Sequence, residues 1–414
     1  MTGRFGLLGE HLSHSFSPKL HALLGDYEYG LYEVPPEGLD EFLRTAALDG
    51  MNVTIPYKKA VLPYCTALSP AAEAIGSVNT LVRRDGGWYG DNTDAYGFRY
   101  LLERCGCAPE GKVCAVFGTG GASVTVQHVL KELGAAKVYV LSRSGRNDYA
   151  YLGDYADAQI LVNATPAGMY PDCGAPPAEP AAFPRCEAAV DLIYNPLRTE
   201  FLQKTVQQTF AEGRKIIAEN GLAMLAAQAA GSAALFTGEA ISEQRIEEAL
   251  CKLKRDAENL ILIGMPGSGK TTVGRLLAEK TGRPFADLDE EITAETGKSP
   301  ETWLRTGGEA AFRAAETAVL DRLSRRTGIV LACGGGVVTK AENELLLRRN
   351  GRIIWLRRNL CKLETAGRPL SQTGSLAALY AVREPLYARF SELRADSDGT
   401  PEAAAEQILE ALMR

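Results

Sequence analysis

Nowhere in the 414 residues do eighteen apolar residues run together, so no stretch reads as a membrane-spanning helix. The opening segment MTGRFGLLGEHLSHSFSP lacks the long apolar core and small-residue cleavage site of a secretory leader, and a cytoplasmic location is expected. An excess of positive charge is also missing. Against 45 basic residues stand 51 acidic ones, a formal net charge of -6, which offers no electrostatic footprint for nucleic acid or an anionic membrane. Histidine is scarce: the four, at positions 11, 14, 21 and 128, lack metal-ligand spacing such as H-E-x-x-H and read as structural. Nine cysteines are scattered over the chain, and only Cys105 and Cys107 lie close, with no matching second pair. Free thiols in a reducing compartment are expected, not a zinc site. No internal repeat or low-complexity tract is present, and the Pro-rich PDCGAPPAEPAAFP reads as a surface connection. What is there is ordinary for a soluble globular protein, with 46% hydrophobic residues and length for roughly two to three domains.

Short β-type runs alternate with helical patterns from end to end, which predicts an α/β architecture with parallel sheets. Strand candidates in the opening third are FGLLG, YGLYEV, GMNVTIP and VNTLVRR. A tight strand–turn–helix–strand unit follows in KVCAVFG, TGG, ASVTVQHVLKELG and AKVYVLSRS, then strands at AQILVNAT and AAVDLIYN, then helices. A second alternating block starts at NLILIGMPG, and KLKRDAE between the blocks reads as a short polar joint.

In the second block, Gly264-Met-Pro-Gly267-Ser268-Gly269-Lys270-Thr271 satisfies G-x-x-x-x-G-K-[ST] between an apolar strand and a helix, and Thr272 follows. The glycines let backbone N–H groups curl around a β-phosphate, Lys270 neutralises the β/γ oxygens, and the Thr271 hydroxyl is placed to ligate Mg²⁺. ATP is the expected nucleotide. Downstream, FADLDEE sets Asp287 and Asp289 two apart, hence on one face of a strand. One carboxylate would hold the metal through water and the other accept a hydroxyl proton. The bland alternative is an acidic helix start. Arg313 in a helical AFRAAE, the glycine turn at 334–336 and Arg383 in REPLYARF are suited to gripping a small carboxylate.

This block resembles shikimate kinase along essentially its whole length. The matches are the phosphate loop, D-x-D at Asp287 and Asp289, F-R-x-x-E at Phe312–Glu316, GGG, RPL at Arg368 and R-x-P-L-Y at Arg383–Tyr387. The resemblance implies that Asp289, Arg313, Gly335 and Arg383 contact shikimate, with Asp289 the candidate base near the 3-hydroxyl and Asp287 on the metal. It also implies that Arg368, on a lid, reaches the ATP phosphates, and that the fold is a nucleoside-monophosphate-kinase-like parallel sheet with helices on both faces. The stretch between Arg368 and Arg383 is shorter than the family's.

In the first block, VFGTGGAS reads as a dinucleotide loop with Gly118, Gly120, Gly121 and Ala122 between strand and helix, Ser123 standing at the third glycine position. The next strand ends LSRSGR. An acid there would select NAD; here Ser142, Arg143, Ser144 and Arg146 favour the 2′-phosphate of NADP. Ketone reduction needs a proton at the developing alkoxide, which a lysine paired with a carboxylate supplies. Lys58 in NVTIPYKKA and Asp94 in GDNTDAYGF are the candidates, each read as lying in a loop after an apolar run. In SHSFSP, Ser15 and Ser17 are hydroxyl donors for a substrate carboxylate or, alternatively, helix caps.

Together these segments resemble shikimate dehydrogenase over roughly residues 4–252, through S-x-S-P, NVTIPYK, GSVNT, GDNTD, GTGGAS, NATPAGM, DLIYNP and GLAMLAAQA. The resemblance implies a two-lobed dehydrogenase with a Rossmann-type NADP lobe. It places Ser15, Ser17, Thr54, Lys58, Asn79, Asp94, Tyr194 and Gln228 around the substrate, with Lys58 and Asp94 the proton-transfer pair, and Gly221 at the cofactor. Two departures carry expectations: SRS replaces the family's NRT, and so few residues separate Arg143 from NATPAG that one strand and helix of the nucleotide lobe should be missing.

The expected organisation is a dehydrogenase over 1–255 (substrate lobe 1–100 plus 225–255, nucleotide lobe 101–224) and a kinase over 256–414. The expected function is NADPH-dependent reduction of 3-dehydroshikimate to shikimate, then Mg-ATP-dependent phosphorylation to shikimate 3-phosphate, in aromatic amino-acid biosynthesis. Neither nucleic acid nor membrane is an expected partner, and the state is monomer or homodimer. Rival readings are a dehydrogenase acting on quinate with NAD, or a non-catalytic sensor of the same metabolites. The presence of Lys58, Asp94, Lys270, Thr271 and Asp289 speaks against the sensor.

Overall fold

The computed structural model describes residues 3–12, 16–143, 148–363 and 376–413. The chain divides into two compact units. The first comprises Met1–Met169, Gly174–Tyr194 and Phe201–Lys254; the second comprises Tyr170–Cys173, Asn195–Glu200 and Arg255–Arg414.

The first unit opens with β1 (Arg4–Gly9), α1 (Ser17–Leu24), β2 (Glu28–Glu33), α2 (Leu39–Thr45), β3 (Gly50–Val53), β4 (Cys65–Leu68), α3 (Pro70–Ile75), β5 (Thr80–Arg84), β6 (Gly87–Asp91) and α4 (Thr93–Cys105). Its first sheet runs β2-β1-β3-β5-β6-β4 and is mixed, not parallel: β5 pairs antiparallel with both β3 and β6. The cause is the Asp85-Gly86 turn. Both residues take positive φ (49° and 79°), the backbone twist that joins two adjacent antiparallel strands. Leu8, Met51, Leu81 and Trp88 fill the core beside this sheet, each about 1.5–3 kcal/mol more favourable buried than exposed.

The second sheet is built from β7 (Val113–Phe117), α5 (Gly121–Glu132), β8 (Lys137–Leu141), β9 (Ile160–Asn163), β10 (Ala188–Asp191), α6 (Glu200–Ala211) and β11 (Ile217–Glu219). Its strands are all parallel in the order β11-β10-β9-β7-β8. The usual doubly wound order is 3-2-1-4-5-6. With β7 and β8 as strands 1 and 2, strands 4, 5 and 6 are present and strand 3 has no counterpart. Among the described residues between β8 and β9 there are an isolated bridge from Ser142 to Asp148 and a run of 3₁₀ turns over Tyr149–Tyr155, but no strand. The shortened nucleotide lobe expected from the sequence is therefore a feature of the fold. Two helices follow, α7 (Leu222–Thr237) and α8 (Glu243–Ala257). KLKRDAE, read as a joint, is instead helical up to Ala257, the end of α8, with only Glu258 between that helix and the next strand.

The second unit continues with β12 (Asn259–Ile263), α9 (Lys270–Thr281), β13 (Phe285–Asp287), α10 (Leu288–Thr296), α11 (Pro300–Ser324), β14 (Val330–Ala332), α12 (Glu342–Asn350), β15 (Gly351–Arg357), α13 (Leu376–Phe390), β16 (Leu393–Asp396) and α14 (Pro401–Met413). Its five-stranded parallel sheet has the order β13-β14-β12-β15-β16. Neighbouring residues of β12 alternate between two cores, with Ile261 and Ile263 in one and Leu260 and Leu262 in the other, so both faces of the sheet are covered.

Candidate active sites

In the first unit a cavity of about 560 Å³ opens at the carboxyl end of β1 and β3. Ser17, Thr54, Lys58, Asn79, Asp94, Tyr194 and Gln228 all line it, so every described member of the expected substrate set comes to one place. Ser15 lies outside the described residues. Lys58 Nζ donates to Asp94 Oδ2 at 2.6 Å, both side chains partly buried. Asp94 Oδ1 accepts from Asn79 Nδ2 at 3.0 Å, so both carboxylate oxygens are occupied by donors. Asp94 does not lie in a loop, as the sequence reading had it, but in the first turn of α4. The N-terminal end of a helix dipole favours a negative charge there. Burial holds the Tyr194 phenol above its usual range, and the edge of Phe16 meets its ring at 5.6 Å, so Tyr194 is a neutral hydroxyl donor in the wall. Sequence reasoning missed His11, Asn52, Met224 and Leu225 in this lining, although Asn52 opens NVTIPYK and Met224 and Leu225 stand in GLAMLAAQA; His11 alone lies outside the matched motifs.

The expected cofactor residues sit beside the cavity and in part on it. Ala122 and Gly221 line it. Gly118 ends the β7 turn, Gly120 caps α5 and Gly121 opens it. A Cβ at Gly120 or Gly121 would meet nothing within 4 Å, so the helix N-terminus faces open space of the kind a pyrophosphate occupies. Ser123 accounts for the imperfect motif: its hydroxyl donates to the Gly118 carbonyl at 2.7 Å and closes the loop. Ser142 and Arg143 follow β8, with Arg143 exposed; Ser144 and Arg146 lie outside the described residues.

In the second unit a cavity of about 690 Å³ is lined by Gly267, Gly269, Lys270, Thr271 and Thr272 on one side and Asp287, Asp289, Arg313, Gly335 and Arg383 on the other. Gly264 and Ser268 belong to the same loop, the Ser268 side chain being fully buried. Gly269 caps α9 with φ +89°, a conformation glycine adopts without cost. Lys270 Nζ donates to the carbonyls of Gly264 and Met265 at 3.0 and 2.8 Å, holding the loop around its own ammonium. Thr271 Oγ1 donates to Asp287 Oδ2 at 2.8 Å. These two hard oxygen donors, adjacent and on the cavity wall, fit a Mg²⁺ ion.

The acidic pair departs from the sequence reading. Asp287 ends β13 and caps α10, accepting from the Asp289 N–H at 3.0 Å, while Asp289 sits in the first turn of that helix. The acidic helix start and the functional pair are one object. Arg313 Nη1 donates to Glu316 Oε2 at 2.8 Å, both side chains buried. Burial pushes the Glu316 carboxyl up, Arg313 opposes this, and Asp289 adds to it. Two buried polar atoms of this pair, Arg313 Nε and Glu316 Oε1, have no partner among the described residues. Arg383 and the Tyr387 hydroxyl both donate to the Gly335 carbonyl. Glu316, Glu301 and Arg358 also line the cavity; F-R-x-x-E carried the signal for Glu316, and nothing in the sequence marked the other two. Arg368 lies outside the described residues.

A shikimate dehydrogenase substrate-binding domain model matches residues 7–81, and a shikimate kinase model matches residues 266–413. Shikimate dehydrogenase (NADP(+)) of Clostridium perfringens is 33% identical over 271 residues, covering 60% of this chain and 98% of that protein. Among solved structures, a chorismate mutase/shikimate 5-dehydrogenase fusion protein from Clostridium acetobutylicum shares 36% identity at a TM-score of 0.57, covering 61% of this chain and 97% of that one. Shikimate 5-dehydrogenase from Thermus thermophilus, in complex with NADP(H) and shikimate, shares 35% identity at a TM-score of 0.53, covering 61% and 99%. No helix among the described residues is long and apolar enough to cross a membrane. The chain belongs to the shikimate dehydrogenase family, with a shikimate kinase domain behind it in the same polypeptide, and is a bifunctional enzyme of the shikimate pathway.

Proposed function

We propose that residues 1–255 reduce 3-dehydroshikimate to shikimate with NADPH and that residues 256–414 phosphorylate the shikimate 3-hydroxyl with Mg-ATP. Within the dehydrogenase, 1–100 and 225–255 form the substrate lobe and 101–224 the nucleotide lobe. NADPH, when bound at Gly118–Ala122, supplies the hydride. Lys58 delivers the proton to the oxygen developing at C3, and Asp94, in contact with Lys58 at 2.6 Å, keeps that ammonium aimed. Ser15, Ser17, Thr54, Asn79, Tyr194 and Gln228 orient the carboxylate and remaining hydroxyls, while Gly221 keeps backbone close to the cofactor. Arg143 near the end of β8 supports NADP, as does the cofactor printed in the relative's name.

In the kinase, Asp289 accepts the proton of the 3-hydroxyl, while Arg313, Arg383 and the Gly335 turn hold the shikimate carboxylate. Lys270 and the N–H groups of the phosphate loop hold the phosphates. Thr271 and Asp287 would hold Mg²⁺, which when bound would supply charge neutralisation at the transferred group. A cytoplasmic location fits this metabolism.

The observation that carries the reading is that one chain holds both cavities, each with its own set of reactive side chains. The hydroxyl made at C3 by Lys58 is the one that Asp289 deprotonates. The test supplies 3-dehydroshikimate, NADPH and Mg-ATP to the purified chain. Shikimate 3-phosphate is expected from the wild type, no turnover from Lys58→Ala, and accumulated shikimate from Lys270→Ala. A wild type that makes neither product overturns the proposal, and a wild type that oxidises quinate with NAD in preference replaces its first half.

A further inference from the structure

Behind the Lys58–Asp94 pair lies a polar cluster with no place in the reaction described so far. Thr80 at the start of β5, Thr93 at the start of α4 and Ser232 in α7 bring three hydroxyl oxygens within 2.8–3.3 Å of one another. Thr80 and Ser232 are fully buried and Thr93 nearly so. Thr80 ends GSVNT and Thr93 stands in GDNTD, while Ser232 comes from a helix more than 130 residues further on, so it is the fold that completes the cluster.

On one side of the cluster stands Asn79. Its Oδ1 accepts from the Thr93 N–H at 2.8 Å, from Thr80 Oγ1 at 3.1 Å and from Thr93 Oγ1 at 3.2 Å. With its carbonyl side surrounded by donors, the amide has one orientation, and Nδ2 must face Asp94 Oδ1, which it meets at 3.0 Å. A reversed amide would set its carbonyl against the carboxylate and its NH₂ against the Thr93 N–H. On the other side, Asn52 Nδ2 donates to Ser232 Oγ at 2.7 Å and to Thr80 Oγ1 at 3.2 Å, while Tyr29 OH donates to Asn52 Oδ1 at 2.8 Å. Asn52 is thereby fixed in the same way, and the Thr80 hydroxyl, accepting from Asn52, has Asn79 Oδ1 at 3.1 Å and Ser232 Oγ at 2.8 Å as the acceptors for its own proton. Ser232 Oγ also reaches the Gln228 carbonyl at 3.0 Å, one turn back on α7, at a residue that lines the substrate cavity.

We infer that Thr80 and Ser232 are positioning residues of the dehydrogenase: they set the orientation of the Asn79 amide, and through it the carboxylate that aims Lys58. The inference rests on the proposed role of Lys58 and Asp94 but concerns different atoms. Neither Thr80 nor Ser232 lines the cavity, so substrate affinity is not their direct concern. Losing their hydroxyls lets Asn79 and Asp94 adopt a second arrangement that the transition state does not use. The loss then falls on kcat and not on KM.

The test uses the full chain carrying Thr80→Val, Thr80→Ser or Ser232→Ala. For Thr80→Val and Ser232→Ala, dehydrogenase kcat should fall about tenfold with KM for 3-dehydroshikimate within about twofold of wild type. The primary isotope effect on kcat with NADPH deuterated at the transferred position should rise, because the chemical step becomes slower relative to release. Thr80→Ser, which keeps the hydroxyl, should stay within about twofold of wild type. The kinase kcat of the same preparations reports an intact second unit. The inference is overturned if Thr80→Val and Ser232→Ala keep their kcat, if the loss appears in KM alone, or if Thr80→Ser is as impaired as Thr80→Val. A Lys58→Ala chain that still reduces the substrate sinks the parent proposal instead, so the two failures are separate results.

Discussion

Gly336 and His21 each carry a consequence of their surroundings. A Cβ at Gly336 would lie 1.9 Å from Arg313 Nη2 and 2.3 Å from its Cζ. A flexible arginine tip would normally swing away, but this one is buried and held by the buried Glu316 at 2.8 Å. Moving it strands a carboxylate in the protein interior, which is costly. Gly336→Ala should therefore raise the kinase KM for shikimate at least about tenfold, the equivalent of one displaced charge-assisted hydrogen bond, and leave the dehydrogenase kcat unchanged. Initial-rate measurements of both activities on one preparation check this, and an unchanged KM counts against Arg313 as a substrate ligand. His21 is the second case. It is stacked on Tyr29 at 4.0 Å, with Nδ1 and the Tyr27 hydroxyl 2.6 Å apart, and burial lowers its pKa from 6.5 to about 3, against an Asn52 hydrogen bond that raises it. The unfolded chain thus takes up this proton first as pH falls, and stability is lost from about pH 6.5 downward. Between pH 7 and pH 5 the loss from His21 should be about 2 kcal/mol. Urea unfolding followed by dehydrogenase activity should show a shallower pH dependence for His21→Gln; identical slopes would mean that the imidazole is not buried neutral.

At the scale of elements, what could and could not be read from sequence has physical causes. Strands β1, β3, β7, β9, β10 and β12 were visible because their apolar runs are bounded by glycine or by motif residues. Strand β6, GWYGD, was not, although Asp85-Gly86 before it is a hairpin turn signal. The expectation of parallel sheets came from the alternation of strand and helix patterns and holds for two of the three sheets; the missed turn bears only on the antiparallel pairing of β5 and β6 in the first. Asp94 and Asp289 were found as candidates but assigned to a loop and a strand, whereas both occupy helix first turns. A carboxylate at that position satisfies local N–H groups and serves chemistry alike, so spacing cannot separate the two roles. The absent third strand of the nucleotide lobe was legible from chain length alone. Its consequence is that β8 ends the sheet among the described residues and Arg143 follows it on the exposed side. Discrimination by the 2′-phosphate should depend on this arginine. Arg143→Ala should raise KM for NADPH about tenfold and leave KM for NADH nearly unchanged. An equal rise for both cofactors would place the selectivity elsewhere.

Across the whole molecule the chain carries two sets of cores. Trp355, Tyr387, Phe312 and Leu331 belong to a cluster wholly within the second unit; Phe117, Phe183, Phe201 and Leu161 belong to one wholly within the first. A unit with its own core unfolds as its own cooperative step unless the partner stabilises it strongly. Each unit also has its own ligand cavity, and a ligand stabilises only the unit that binds it. At a free concentration one hundred times its Kd, a ligand adds about 2.7 kcal/mol, which for units of this size corresponds to roughly 5–10 °C in Tm. Calorimetry of the intact chain should then resolve two transitions, NADPH raising one and Mg-ADP raising the other. Shikimate alone is the informative addition: as product of the first reaction and substrate of the second, it should raise both. A single transition moved equally by NADPH and by Mg-ADP would show that the two units unfold as one, and the two activities could then no longer be treated as independent in the Gly336→Ala and Thr80→Val experiments.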